Sequence, residues 1–291
     1  MAGSIRVRDT HQKEFVRLVD GLSGRYSRWT IWADFITMAA ISLSNAVDKS
    51  NAESREETYK HIEEKYTPNE LPLFAQMFAE VVMGLDENPD QDFLGELYMN
   101  LDLGNEHAGQ FFTPYNVCRM MSEMNVSDAK KEVADKGWIS VLDCCCGAGA
   151  LLVAFANTCK RNEINYQECV LFAAQDIDYI VGMMCYIQLS LLGASGYVVI
   201  GDSLSKPMRF YDKRGLIPVH GPNIWYTPFF FRKEWDIRRT LARMETLLLS
   251  GENRKRRGPE IVEKNSNEQK DKALEPLMEI RETEYGQLTL F

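Results

Sequence analysis

Histidine is scarce in this chain of 291 residues: there are four, His11, His61, His107 and His220, scattered along its length. Zinc sites need thiols or imidazoles in closely spaced pairs, with a second pair downstream. Neither pattern occurs, so no metal is expected. The seven cysteines, Cys118, Cys144, Cys145, Cys146, Cys159, Cys169 and Cys185, form no regular framework, and an odd number cannot all pair within one chain. Reduced thiols follow, as in a reducing compartment. The Gly-x-Gly-x-x-Gly fingerprint of dinucleotide folds is absent, as is any internal repeat. The first fifteen residues lack the apolar core and small-residue cleavage site of a signal peptide, which points to the cytoplasm. No uninterrupted apolar run is long enough to cross a membrane: the nearest candidate, Trp29 to Val47, contains Asp34 and several Ser, Thr and Asn residues. It reads as a buried helix, and no membrane partner is expected.

Charge is abundant but unevenly placed. The net value is −9, yet between Lys206 and Arg257 thirteen Lys or Arg stand against five Asp or Glu, a surplus of +8 that leaves −17 for the rest. Such a strip is either a solvated face or a surface for phosphates.

The 45% hydrophobic content suffices for one large domain or two modest ones. Residues 1–105 carry apolar side chains at helical spacing, broken by Pro68, Pro72 and Pro89, and predict a helical N-terminal domain. Over residues 106–250 the texture becomes strand, glycine turn, helix, strand, helix, strand. That order is the signature of a parallel α/β sheet with right-handed crossovers, which binds ligands at the carboxyl ends of its strands. Residues 251–291 are polar and charged and predict a flexible tail.

The chemistry-bearing residues stand where the strands should end. "LDCCCGAGALL" closes the first strand with Asp143 and opens the next helix after Gly147 and Gly149, which let backbone approach a ligand closely. Three adjacent thiols at strand spacing alternate between faces and cannot converge on one ion. The second strand ends in "QDID": Asp176 is placed to accept from ribose hydroxyls and Asp178 to cap the next helix. The third ends in "GDSL", where Asp202 either accepts from an exocyclic amine or caps a turn. Upstream, "GQFFTP" puts Thr113 as N-cap and Pro114 at the first position of a helix whose buried face would hold Val117, Met120, Met121 and Met124. Its N-terminus suits a carboxylate.

These four motifs, in this order and at these distances, resemble the adenine-N6 DNA methyltransferases that serve as modification subunits of type I restriction systems. The likeness spans roughly Leu94 to Leu204 and is looser through the helical part. The family's first motif reads Asp-Pro-Ala-Cys-Gly-Ser-Gly, so Cys146 matches while Cys144, Cys145 and Ala148 replace Pro, Ala and Ser. The resemblance implies a Rossmann-like, S-adenosylmethionine-dependent core, with Gln110, Phe111, Phe112, Thr113, Asp143, Cys146, Gly147, Gly149, Asp176, Ile177, Asp202 and Ser203 around the cofactor. It implies DNA as substrate and a specificity subunit as partner.

The sequence departs from that pattern twice. The family's Asn-Pro-Pro-aromatic tetrapeptide has one candidate counterpart, Tyr226, Thr227, Pro228 and Phe229. In it Phe229 could stack on a flipped adenine and the Thr227 carbonyl accept a proton of its amine, but Tyr226 carries its acceptor at the far end of a ring. The seven strands of a complete sheet are also not all there. After Phe231 the pattern is one helix, with Ile237, Leu241, Met244 and Leu248 as its buried stripe. Arg238, Arg239 and Arg243, with Arg254, Lys255, Arg256 and Arg257 beyond, would face DNA. Either a partner completes the fold, or the chain binds cofactor without transferring methyl groups. The closing "QLTLF", with Gln287, Leu288, Leu290 and Phe291, resembles the peptide that docks into the bacterial sliding clamp.

Overall fold

The structure, a computed structural model, describes residues 10–101, 103, 112–256, 280–282 and 288–290. The chain divides into two compact units, Met1–Leu248 and Leu249–Phe291.

The first unit begins with five helices, α1 (Thr10–Leu22), α2 (Arg28–Val47), α3 (Ala52–Glu63), α4 (Leu71–Glu87) and α5 (Phe93–Asn100). Helix α2 is long and apolar enough to span a membrane by length and composition, yet 61% of its most apolar window is buried inside the fold. Its buried Asp34 is satisfied by Lys65 Nζ at 3.0 Å and the Tyr66 hydroxyl at 2.8 Å, as a carboxylate inside a protein requires.

After α6 (Tyr115–Lys136) the expected alternation appears: β1 (Ile139–Asp143), α7 (Ala150–Arg161), the short α8 (Tyr166–Cys169), β2 (Val170–Asp176), α9 (Tyr179–Leu191) and β3 (Ser195–Ile200). Strands β1, β2 and β3 are parallel neighbours in that order. The three-residue β4 (Ile224–Tyr226) joins β3 antiparallel, Tyr226 opposite Tyr197. The sheet is therefore a Rossmann-like α/β core with an incomplete parallel sheet, preceded by helices. Val170, Phe172 and Ala174 of β2 pack into one core with α2, α5, α7 and α9, while Leu171 and Ala173 pack into another with Trp138, Tyr197 and Trp235. Burial on both faces explains the unbroken apolar run of this strand. Residues before and after position 105 share the first of these cores.

Helix α10 (Lys233–Arg256) lies against the second core with a face other than the expected one. Trp235, Arg239 and Ala242 are buried, whereas Ile237, Leu241, Met244 and Leu248 are 51 to 70% exposed. The same reversal holds on α6, where Cys118, Ser122, Val126 and Ala129 are buried and Met120, Met121 and Met124 exposed. In the second unit β5 (Ile280–Glu282) and β6 (Leu288–Leu290) form an antiparallel ladder, so Leu288 and Leu290 belong to a strand. Gln287 and Phe291 lie outside the described residues.

One buried ion pair ties the helices to β4. Arg55 Nη1 donates to Asp48 at 3.0 Å and to Ser44, its Nη2 donates to the Ile224 carbonyl at 3.1 Å, and its guanidinium lies 4.1 Å from the Trp225 ring centroid. Burial alone would raise the Asp48 pKa, but hydrogen bonds from Ser50 and Arg55 outweigh it and hold the group below its ordinary value. Arg55→Met should cost about 3–5 kcal/mol, because it strands the buried Asp48 charge. Urea unfolding reads this directly, and a loss below about 1 kcal/mol would show that the pair is dispensable.

Candidate functional site

A cleft of about 620 Å³ opens at the carboxyl ends of β1 and β2, within the range of small-molecule sites. Its floor is the turn between β1 and α7. Gly147 and Gly149 both have positive φ, 55° and 91°, and Gly149 is the N-cap of α7. A Cβ on Gly149 would meet Cys185 Sγ at 2.8 Å and its Cα at 3.3 Å, so α7 and α9 approach as closely as they do because this position has no side chain. The Cys146 N–H donates to the Gln175 carbonyl at 3.0 Å, anchoring the turn to β2.

Two carboxylates define the polar side. Asp176 Oδ2 accepts from the Gly147 N–H at 2.8 Å and Oδ1 from the Asp178 N–H at 3.0 Å, leaving each oxygen a further lone pair. Asp143 accepts from the Cys145 N–H at 3.1 Å. Burial, opposed by that N–H and reinforced by the Asp176 charge, raises the Asp143 pKa. Asp178 caps α9 by accepting from Val181 N at 3.0 Å, as read from the sequence.

Phe112, Thr113, Asp143, Cys146, Gly147, Asp176 and Ile177 all line the cleft. Phe112 stacks on Tyr98 with centroids 5.4 Å apart, which fixes the wall opposite the turn. Gln110 and Phe111 lie outside the described residues. Thr113 is not a cap: α6 starts one residue later, with Pro114 as its N-cap and no side-chain bond. Gly149 shapes the turn without lining the cleft. Asp202 and Ser203 stand off at its edge, where Ser203 Oγ lies 3.7 Å from Cys145 Sγ. The Asp202 carboxylate turns back onto its own loop, accepting from Leu204 N at 2.9 Å and Ser205 Oγ at 2.8 Å, and these bonds hold its pKa below the ordinary value. It serves as a turn cap.

The thiols separate by burial. All seven are free, and Cys146 is buried against Cys185, whose hydrogen bond, together with burial, pushes the Cys146 thiol well above its usual range. Cys145 is exposed and lines the cleft.

Two sequence-based site assignments are corrected. The Tyr226, Thr227, Pro228, Phe229 tetrapeptide lies at the wrong end of the sheet, because β4 runs antiparallel and returns the chain to the amino end of β3. Thr227 N donates to the Gly196 carbonyl at 2.9 Å, Ser195 Oγ to the Phe229 carbonyl at 3.1 Å, and Tyr226 and Thr227 are buried. Tyr226 stands opposite Tyr197, three residues or roughly 10 Å short of the carboxyl end of β3, and Thr227 and Phe229 lie further toward its amino end. Of the α10 arginines, Arg239 is buried, donating to the Phe230 carbonyl at 2.7 Å, and Arg238 stacks on Trp235 at 4.5 Å and donates to the Glu168 carbonyl. Both serve packing. Arg243 is exposed; Arg254, Lys255 and Arg256 belong to the last turns of α10, and Arg257 lies outside the described residues.

Asp92, which carries no cleft signal in the sequence, also lines the cleft. It caps α5 by accepting from Gly95 N at 3.1 Å and also accepts from Gln188 Nε2 at 2.8 Å. The only sequence signal is an acidic residue just before an apolar helix, which marks a cap and not a pocket.

An α/β cleft at strand carboxyl ends, floored by a glycine turn and walled by acidic residues, defines a nucleotide-type binding unit. Residues 90–219 match the model of the N-6 DNA methylase family. Among solved structures, a candidate class I S-adenosylmethionine-dependent methyltransferase from Listeria monocytogenes is 14% identical, with 77% of this chain and 69% of that one covered at a TM-score of 0.37. The type I restriction-modification system methyltransferase subunit from Streptococcus thermophilus is 16% identical, with 69% and 45% covered at 0.31. This chain thus spans less than half of that subunit. No curated protein sequence matches the chain. None of these likenesses bears on a sliding clamp.

Two outcomes follow for the site. Gly149→Ala should cost at least roughly 1–3 kcal/mol from its backbone conformation alone, with the Cys185 clash added, and denaturant unfolding measures it; an unchanged midpoint would refute the close approach. Burial pushes the Asp92 carboxyl up to about 6, with weaker opposing bonds from Gln188 and Gly95. A raised carboxyl pKa means that the folded chain holds its proton more tightly, so this contribution to stability is present below the ordinary carboxyl range and lost as pH rises to about 6. Asp92→Asn, which keeps the cap, should gain relative to the native chain as pH rises, by on the order of 3 kcal/mol at most. Parallel unfolding curves at about pH 4 and about pH 7 test the sign.

Proposed function

We propose that this chain binds S-adenosylmethionine in the β1–β2 cleft and serves DNA adenine-N6 methylation as the component that holds the cofactor. The convergence of the Gly147 turn, Asp143 and Asp176 at one end of the sheet carries this reading. The bound cofactor would supply an electrophilic methyl group on a sulfonium centre. The residues present suit it: the spare lone pairs of Asp176 match ribose hydroxyls, Asp143 offers a carboxylate to a cationic group, and exposed Ile177 with Val181 offers apolar surface to a base. The first turn of α6, beside Thr113, favours a carboxylate. Cys145 stays a bystander thiol at the rim.

The DNA would be methylated with help from a second protein, a specificity subunit or another chain that completes the fold. The position of Tyr226 to Phe229 at the far end of the sheet supports this over a chain that transfers methyl groups alone, since a stacking Phe229 and an accepting Thr227 carbonyl there cannot orient an adenine amine toward the cleft. A restriction-modification setting, inside the cell, accords with the family.

Calorimetric titration with S-adenosylmethionine should give saturable heat, weakened about tenfold or more by Asp176→Asn. The cofactor should also slow alkylation of Cys145 by a neutral maleimide. Tritiated methyl transfer to DNA should be absent with the chain alone, and Phe229→Ala should leave cofactor affinity unchanged. Absence of binding heat and of Cys145 protection would sink the reading.

A further inference from the structure

Between β3 and β4 the chain leaves the cleft edge at Ser203 and forms a hairpin-like loop that no motif describes. Its base is clamped by the buried Gln175, whose Nε2 donates to the Gly201 carbonyl at 3.1 Å and the Lys206 carbonyl at 2.9 Å, and whose Oε1 accepts from Met208 N at 2.9 Å. Its arms pair antiparallel: Tyr211 N donates to the Ile217 carbonyl at 2.9 Å, Val219 N to the Arg209 carbonyl at 2.8 Å, and Phe210 lies opposite Pro218. Asp212 closes the tip by accepting from Arg214 N at 2.9 Å and Ile217 N at 2.7 Å, and Gly215 takes a positive φ of 75°.

Strand-like alternation then sorts the side chains. Phe210 points inward, its ring 6.4 Å from that of Tyr197, and Leu216 is fully buried. Arg209 and Tyr211 point outward, with Lys206 and Lys213 also exposed, Tyr211 60% so and nearby Leu204 92%. Arg214 is held differently, over Trp138 at 4.7 Å and toward Glu245. Among the described residues no ion pair engages Lys206, Arg209 or Lys213. Three cations and an aromatic ring thus lie exposed along one clamped hairpin, a ledge that starts at the cleft edge and runs across the sheet face toward Tyr197 and Trp138, on a chain that is otherwise strongly acidic. Scattered solvation would not need a clamped hairpin, and a polyanion backbone matches cations interleaved with an exposed ring.

We infer that this ledge is the DNA contact surface of the chain, with Lys206, Arg209 and Lys213 on phosphates and Tyr211 packed on a sugar or an unstacked base. The inference rests on the DNA reading above, and it moves the basic strip from α10 to the β3–β4 hairpin. Neutralising phosphate contacts releases counterions, so affinity should fall with salt along a slope set by the number of contacts.

The test is fluorescence anisotropy of the full chain on a labelled DNA duplex over a salt series. Lys206→Ala, Arg209→Ala and Lys213→Ala together should weaken binding about 10- to 100-fold and flatten the log–log salt slope by about 2–3. Tyr211→Ala should weaken binding and leave the slope unchanged. A control that removes the same charge elsewhere, Lys130→Ala, Lys131→Ala and Lys136→Ala on α6, should bind as the native chain does. Thermal unfolding of each variant keeps loss of fold apart from loss of contact. Undetectable binding by the native chain, an unchanged slope in the hairpin variant, or an equal loss in the control would each overturn the assignment. S-adenosylmethionine titration is read separately: a chain that binds DNA through the ledge but gives no cofactor heat would refute the cofactor reading and leave this one standing.

Discussion

The side-chain amide of Gln188 is the constraint on which the site depends. It is completely buried in α9, its Nε2 donating to Asp92 Oδ1 and to the Ala148 carbonyl, both at 2.8 Å, and its Oε1 accepting from Leu94 N at 3.2 Å. One amide therefore satisfies the start of α5 and the glycine turn of the cleft at once. Each of those groups is buried, and leaving a buried polar group without a partner costs its desolvation energy. The arrangement locks the position of the helical segment to that of the cleft floor. It also explains how a carboxylate as enclosed as Asp92 can persist at the cleft wall.

Helix α9 has a second role in the same place. Gly149 abuts Cys185, one turn before Gln188, so the helix that donates the hydrogen bonds also sets the height of the turn. Phe112, stacked on Tyr98, closes the other side from the helical part of the chain. The cleft is thus built jointly by the α/β sheet and the helices before it, which share one continuous core. A description of those helices as a separate cap would miss Asp92 in the cleft wall and Tyr98 behind Phe112.

The parts of the fold that were legible in the sequence are those whose signal is local. Strands β2 and β3, the glycine turn and helices α7 and α9 could be read because strands buried on both faces are uninterrupted apolar runs and because the turn needs residues that tolerate positive φ, whereas the edge strand β1, with Leu142 exposed, was marked by its place before that turn. Asp143, Asp176 and the cap at Asp178 followed from their places at strand ends. The misreadings have one physical origin. Apolar periodicity shows which face of a helix is apolar but not whether anything covers it, so Met120 and Met124 on α6, and Ile237 and Leu241 on α10, looked like core and are exposed. The packing faces are set by residues such as Trp235, Arg239 and Ser122, whose burial depends on distant partners. Asp92 was invisible for the same reason, since Gln188 lies 96 residues away. The direction of β4 could not be read from three residues, and on that direction turned the placement of Tyr226 to Phe229.

That direction has a consequence for chemistry. A parallel β4 would end beside Ile200, at the same end of the sheet as Asp143 and Asp176, and send the residues after it toward that end. An antiparallel one delivers the preceding loop to that end instead, and this loop is the cationic hairpin from Lys206 to Arg214. The segment that meets the cleft edge is thereby the base of that hairpin, at Ser203 and Lys206, and not the Tyr226 to Phe229 segment. Carboxylates at the cleft would repel a phosphate backbone over distances near the Debye length, about 8–10 Å at ordinary ionic strength. If the proposed function holds, cations on the hairpin would offset that repulsion at close range and leave the acidic groups to face a cationic cofactor. On the proposed function, the opposite charge requirements of a sulfonium nucleoside and of DNA would fall to the acidic cleft and to the cationic hairpin that leaves its edge, and the reversal of a single short strand is what places that hairpin before β4.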